Sequence, residues 1–79
     1  MPFAQKKLQQ RGIPMRWVEE TLTAPEQEVP GYGGRVVYQR RYIVAGREQL
    51  LRVICEGTAA KRIVVTGYLT SEIQRYWRV

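Results

Sequence analysis

Apolar residues recur along this chain at two different spacings. From Phe3 to Gln10 the spacing is helical. Phe3, Ala4, Lys7 and Leu8 share one face while Gln5, Lys6, Gln9 and Gln10 share the other, and Gly12 stands where such a helix would end. A second helix is predicted from Pro14, since proline is favoured at a first helical position whose N–H has no partner anyway. Met15, Trp17, Val18 and Leu22 form its apolar stripe, and Pro25 stops it. The short link Arg11-Gly12-Ile13 folds the two helices into an αα-hairpin.

From Arg35 onward the period becomes two. Strands are predicted from Arg35 to Val44, from Gln49 to Cys55 and from Lys61 to Leu69, with turns at Ala45-Gly46-Arg47 and Glu56-Gly57-Thr58-Ala59. Connections this short make an antiparallel meander. The stretch from Ala24 to Gly34, with Pro25, Pro30, Gly31, Gly33 and Gly34, reads as a loop that buries little. After the last strand, Ser71 with Gln74 fits a capping box. It would open a helical turn with Ile73, Tyr76 and Trp77 on one side, docked on the sheet or its edge, and Arg75 and Arg78 outward; the alternative is an extended tail. The fold class expected is α+β: an N-terminal αα-hairpin packed on an antiparallel sheet of three to four strands, with a short C-terminal helical turn, as a single domain over residues 1–79.

Helices can cover only one face of such a sheet. Leu51, Val53, Ile63 and Val65 are the expected core side, which leaves Arg52, Arg62 and Tyr68, with Tyr38 and Arg40, on the other. Arginine with tyrosine suits RNA, because guanidinium takes phosphate and aromatic rings stack on unpaired bases. The bland reading is that the uncovered face of any two-layer fold must be polar. Arg52 is the most pointed of these residues. It interrupts the apolar run Leu50-Leu51-Arg52-Val53-Ile54, so it must reach water, pair with an acid such as Glu19, Glu20 or Glu48, or meet an anionic ligand.

Charge and composition narrow the classes. Thirteen Lys and Arg against seven acidic residues give a formal charge of +6 over 79 residues, which favours RNA, the ribosome or an acidic protein as partner. The chain has no histidine and one cysteine, Cys55, so an internal disulfide and histidine-based catalysis are excluded and a zinc site is not expected. Cys55 reads as a small core residue, and its isolation suits a reducing cytoplasm. No cofactor or metal is expected, no run approaches a membrane span, and the N-terminal Lys6 and Lys7 are not followed by the apolar region of a secretory signal. Lys6, Lys7, Arg11 and Arg16 make a second basic group, for which a solvated helix face is the ordinary reading. Arg75, Tyr76, Trp77 and Arg78 make a third.

The run Phe3-Ala4-Gln5-Lys6-Lys7-Leu8-Gln9-Gln10-Arg11-Gly12-Ile13 resembles the opening of a family of small bacterial and phage-borne domains of the RelE/ParE-like toxin superfamily, near the BrnT-type toxins. That opening reads His-Ala-x-x-Arg-Met-x-x-Arg-Gly-Ile, and Phe3, Lys7 and Leu8 are this chain's departures from it. Trp17-Val18-Glu19-Glu20-Thr21-Leu22 resembles the family's second helix. Leu51-Arg52-Val53-Ile54 resembles its middle strand, Ile63-Val64-Val65-Thr66-Gly67-Tyr68 its last strand, and Arg75-Tyr76-Trp77 an ending seen in some members. The resemblance implies a toxin-like, RNA-directed module of a toxin–antitoxin system, with an acidic antitoxin-like partner, and a metal-independent endoribonuclease in which the RNA 2′-hydroxyl attacks. It places Arg52 by the scissile phosphate, with Lys, Arg and Tyr supplying charge and proton transfer in such enzymes. Tyr68 and Lys7 are the candidates for catalysis beside Arg52, and the basic groups make Arg11, Arg40, Arg62 and Arg75 the candidates for nucleic-acid contact. ParE-like relatives inhibit a protein target instead, so the alternative is a non-catalytic basic module that binds an acidic protein.

Overall fold

The computed structural model describes residues 2–58 and 60–79, with side chains from Lys6 onward. Its elements in chain order are α1 (Pro2–Gln10), α2 (Met15–Thr23), β1 (Gln27–Pro30), a 3₁₀ turn (Tyr32–Gly34), β2 (Val36–Val44), β3 (Arg47–Thr58), β4 (Lys61–Thr70) and α3 (Ile73–Tyr76). The strands form one antiparallel sheet in the order β1-β2-β3-β4. The chain is therefore α+β, with an αα-hairpin on a four-stranded sheet.

α1 packs against β4, and α2 lies over β2 and β3. The chain leaves α1 at Gly12, where the N–H of Ile13 bonds the Leu8 carbonyl at 3.0 Å. Leu8 and Ile13 are both buried at this corner, so the end of α1 is also an apolar anchor. Pro14 adopts an extended conformation as the N-cap of α2, one residue earlier than the first helical position. Below the helices, Leu51, Val53 and Cys55 of β3 and Tyr38 of β2 complete the core. Each fully buried aliphatic side chain here contributes about 1.5–3 kcal/mol. The expectation that Phe3 and Ala4 share the inner face of α1 lies outside the described side chains, as does Ala59 of the expected second turn.

Four expectations are corrected. First, the loop from Ala24 to Gly34 contains β1, which pairs Val29 with Val37 and buries it. Second, the β2–β3 turn has two residues, not three. Ala45 and Gly46 both have positive φ, 51° and 76°, so Val44 pairs with Arg47 directly. Successive left-handed residues make the tight turn whose twist matches a hairpin, and glycine takes the second position without steric cost. A three-residue turn would have set Arg40 beside Arg52. The two-residue turn sets it beside Leu51 and puts Gln39 opposite Arg52. Tyr38 and Arg40 thus lie on the helix face.

Third, β4 carries a bulge. Thr66 pairs with Ile54 but Val64 pairs with Cys55, so Val65 is the extra residue. One inserted residue reverses the facing of everything before it. Val64 and Arg62 turn toward the helices, while Ile63 faces outward at 45% exposure. Fourth, α3 begins at Ile73 with Glu72 as N-cap and no side-chain cap, so the Ser71–Gln74 capping box is not formed; instead the Thr70 hydroxyl accepts the Glu72 N–H at 3.0 Å.

Candidate functional site

The second face of the sheet presents a polar row that crosses all four strands. Gln27 of β1 lies beside Gln39 of β2, Gln39 beside Arg52 of β3, and Arg52 beside Tyr68 of β4. Direct cross-strand neighbours are close enough for their side chains to meet, and here each joins the next. Gln39 donates from Nε2 to Gln27 Oε1 at 3.1 Å and accepts from Arg52 Nε at 2.7 Å. The Arg52 guanidinium also donates to the Tyr68 hydroxyl. Gln39 is fully buried, and every one of its polar atoms is engaged because its second amide N–H reaches the Tyr76 carbonyl at 3.2 Å. A buried amide in this state fixes its neighbours, since turning it would orphan several groups at once.

The C-terminal segment lies along this row. Tyr76 sets its ring over the Arg52 guanidinium, 4.0 Å from carbon to centroid, and meets Tyr68 edge-on at 6.3 Å. Trp77 sits under Arg41 at 4.4 Å, and Arg78 exchanges two backbone hydrogen bonds with the Gln27 side chain. The expected docking of Tyr76 and Trp77 is thus present, with Arg75 and Arg78 exposed beside it.

Arg52 has no carboxylate partner among the described residues. Glu19, Glu20 and Glu48 do not reach it. Only two of its five N–H donors are engaged, and it lines a groove of about 340 Å³ with Pro30, Tyr32, Arg35, Val37, Ile54, Thr66 and Tyr68. By contrast, Arg41 on the same face is matched by Glu26 in a two-pronged pair at 3.1 Å, and Arg35 on the groove rim by Glu56 at 2.9 Å. The Arg41 guanidinium, chiefly by hydrogen bonding, holds the Glu26 carboxyl below its ordinary range. Among the described residues, the half-buried Arg52 guanidinium thus lines this groove without a carboxylate, open to a ligand or water.

The other expected site residues divide by position. Tyr68 joins Arg52 in the groove. Lys7 is exposed on α1, whose layer covers the opposite face, and takes no part in the groove lining. Arg11 reaches the β4 edge, donating to the Gly67 carbonyl at 2.6 Å and to the Thr66 hydroxyl at 3.1 Å. Arg40 and Arg62 lie on the helix face. They donate to the Ala24 and Leu22 carbonyls at 2.7 and 2.9 Å, which caps the C-terminal end of α2 where cations are favoured. Arg62 also stacks on Tyr38. Arg75 pairs with Glu72 at 3.2 Å, one turn away in the exposed C-terminal segment.

Gln27, Gln39 and Tyr32 of this site escaped the sequence reading; Gln27 lies in β1, which the sequence marked as loop. Gln39 follows from the hairpin register once the turn is known to have two residues. Tyr32 sits in the turn after β1, which sequence alone marked as loop. Cys55 is buried in the core, and that burial pushes its thiol above its ordinary value, so it is an inert packing residue and no nucleophile. Among the described residues no cluster of His, Cys, Asp or Glu could hold a metal, and no helix is long and apolar enough to cross a membrane. Comparison with family models, with curated proteins and with solved structures finds no match to this chain.

Proposed function

We propose that this chain is a toxin-like, RNA-directed module of the RelE/ParE-like kind, which takes RNA on the second face of its sheet with Arg52 against a phosphate. The single observation that carries this reading is the state of Arg52: central in the sheet, immobilised by Gln39 and Tyr68, and free of any acid. Placing a guanidinium there without a carboxylate is costly unless its charge is used. Phosphate offers the oxygens that a planar guanidinium fits best.

In the catalytic form of this reading, the RNA 2′-oxygen bonds to phosphorus as the bond to the 5′-oxygen breaks. One proton leaves the 2′-hydroxyl and one arrives at the 5′-oxygen. Arg52 stabilises the charge that builds on the phosphate, a role in which one preorganised donor changes rates by about 10²–10³. Tyr68, whose hydroxyl already contacts Arg52, is the nearest group able to pass a proton. Lys7 is outside this arrangement. The groove contains no carboxylate or amine as general base, and this favours a second reading: a non-catalytic basic module for an acidic, antitoxin-like protein.

The test is to express the chain and the Arg52→Ala variant and to follow growth, translation and RNA integrity. RNA cleavage or stalled translation with the parent chain only is the expected result. Intact RNA and equal growth in both cases remove the nuclease reading.

A further inference from the structure

The turn between β1 and β2 presents a tyrosine that packing does not account for. Tyr32 is 96% exposed, makes no side-chain hydrogen bond among those described, and yet lines the same groove as Arg52. Large aromatic side chains lose contact with water wherever the fold allows it. The groove beside Tyr32 has an apolar floor of Val37 and Ile54, a second ring from Tyr68, and guanidinium groups from Arg35 and Arg52. Thr66 marks its β4 side, where its hydroxyl already accepts a hydrogen bond from Arg11. A groove lined by apolar side chains, an exposed ring and a cation without a carboxylate suits a molecule that joins a planar base to a phosphate.

We infer that this groove holds one unpaired nucleotide of an RNA strand, with its base stacked on Tyr32 and its phosphate at Arg52; this rests on the RNA reading above and names the substrate class as single-stranded. A duplex keeps its bases inside the stack and offers only backbone, so it could meet Arg52 but not Tyr32. An acidic peptide would use the cations and leave the ring idle. Because Tyr32 contributes little to packing, replacing it leaves the fold intact and isolates its role in binding.

The experiment measures binding of four fluorescent probes at low salt: a mixed-sequence single-stranded RNA, its duplex, an abasic strand of equal length, and a polyglutamate peptide. The parent chain is compared with Tyr32→Ala, Tyr32→Phe and Arg52→Ala. Stacking of one base predicts that Tyr32→Ala weakens single-strand binding by about five- to a hundred-fold. Tyr32→Phe should retain parental affinity. The duplex, the abasic strand and the peptide should not distinguish Tyr32→Ala from the parent, while Arg52→Ala should weaken all three nucleic-acid probes. If Tyr32→Ala binds the single strand as the parent does, and Arg52→Ala does not, the stacking inference falls and the RNA reading stands. If the parent binds none of the nucleic acids, or binds polyglutamate best, the RNA reading falls and the inference with it.

Discussion

Replacing Gln39 by leucine removes the centre of the polar row without changing side-chain size greatly. Gln39 accepts from Arg52 at 2.7 Å and donates to Gln27 and to the Tyr76 carbonyl at 3.1 and 3.2 Å, all from a fully buried position. A hydrogen bond to a charged group is worth about 1.5–3 kcal/mol, and each neutral one about 0.5–1.5 kcal/mol. The leucine recovers part of this through apolar burial, leaving a net loss of about 2–4 kcal/mol. For a chain of this size that lowers Tm by roughly 10–25 °C. Thermal melting followed by circular dichroism measures it. The same variant should also weaken RNA binding, because Arg52 loses the acceptor that fixes its plane. Gln39→Glu separates the two effects: it keeps an acceptor for Arg52 but neutralises the charge, so on the RNA reading affinity should fall even in the folded fraction. A Gln39→Leu chain melting within about 3 °C of the parent, a change of less than 1 kcal/mol, would refute the idea that this row organises the face.

Three other outcomes follow from the packing and charge. Trp77→Ala should cost about 2–3 kcal/mol, because the indole is only half-buried and adds a cation–π contact with Arg41 worth about 0.5–1 kcal/mol; urea unfolding checks it, and an unchanged midpoint would mean the C-terminal segment does not hold the sheet. Glu26 has its folded-state value below the ordinary 4.5, so the stability it gains from Arg41 is present above that value and lost as pH falls through the lowered one. Melting curves between about pH 6 and pH 3 should therefore fall less steeply for Glu26→Gln than for the parent. Gly57→Ala should destabilise by about 1–3 kcal/mol or more, since φ is +90° there and the added methyl would strike the Lys61 carbonyl; differential scanning calorimetry reads the shift, and a parental Tm would show that the β3–β4 turn can relax.

The helices, their order and the core side of β3 were legible because Leu8, Val18, Leu51 and Val53 sit at positions where periodicity and burial agree. The docked C-terminal turn was legible from three large apolar side chains close together. β1 was not, since a four-residue strand with one buried residue, Val29, has no period to detect. The facing of Arg40 and Arg62 failed for two separate reasons. Turn length decides the parity of β2 against β3, and Ala45-Gly46-Arg47 fits two loop lengths equally well as sequence. The bulge at Val65 lies within the β-branched run Ile63-Val64-Val65-Thr66, where either alternation looks apolar enough. Arg52 was identified, but its partners Gln39 and Tyr76 depend on cross-strand register and on chain return, which no local pattern encodes.

On the proposed reading, RNA meets the face bearing Arg52 and not the helix hairpin. Nuclear magnetic resonance titration of the isotope-labelled chain with a short single-stranded RNA tests it most directly, because the two faces carry separate reporters. Shifts are expected at Tyr32, Gln39, Arg52, Thr66 and Tyr68, including the Arg52 Nε–H signal, with little change at Lys6, Lys7 and Arg16. Shifts confined to the α1–α2 hairpin, with the Arg52 Nε–H unmoved, would contradict it.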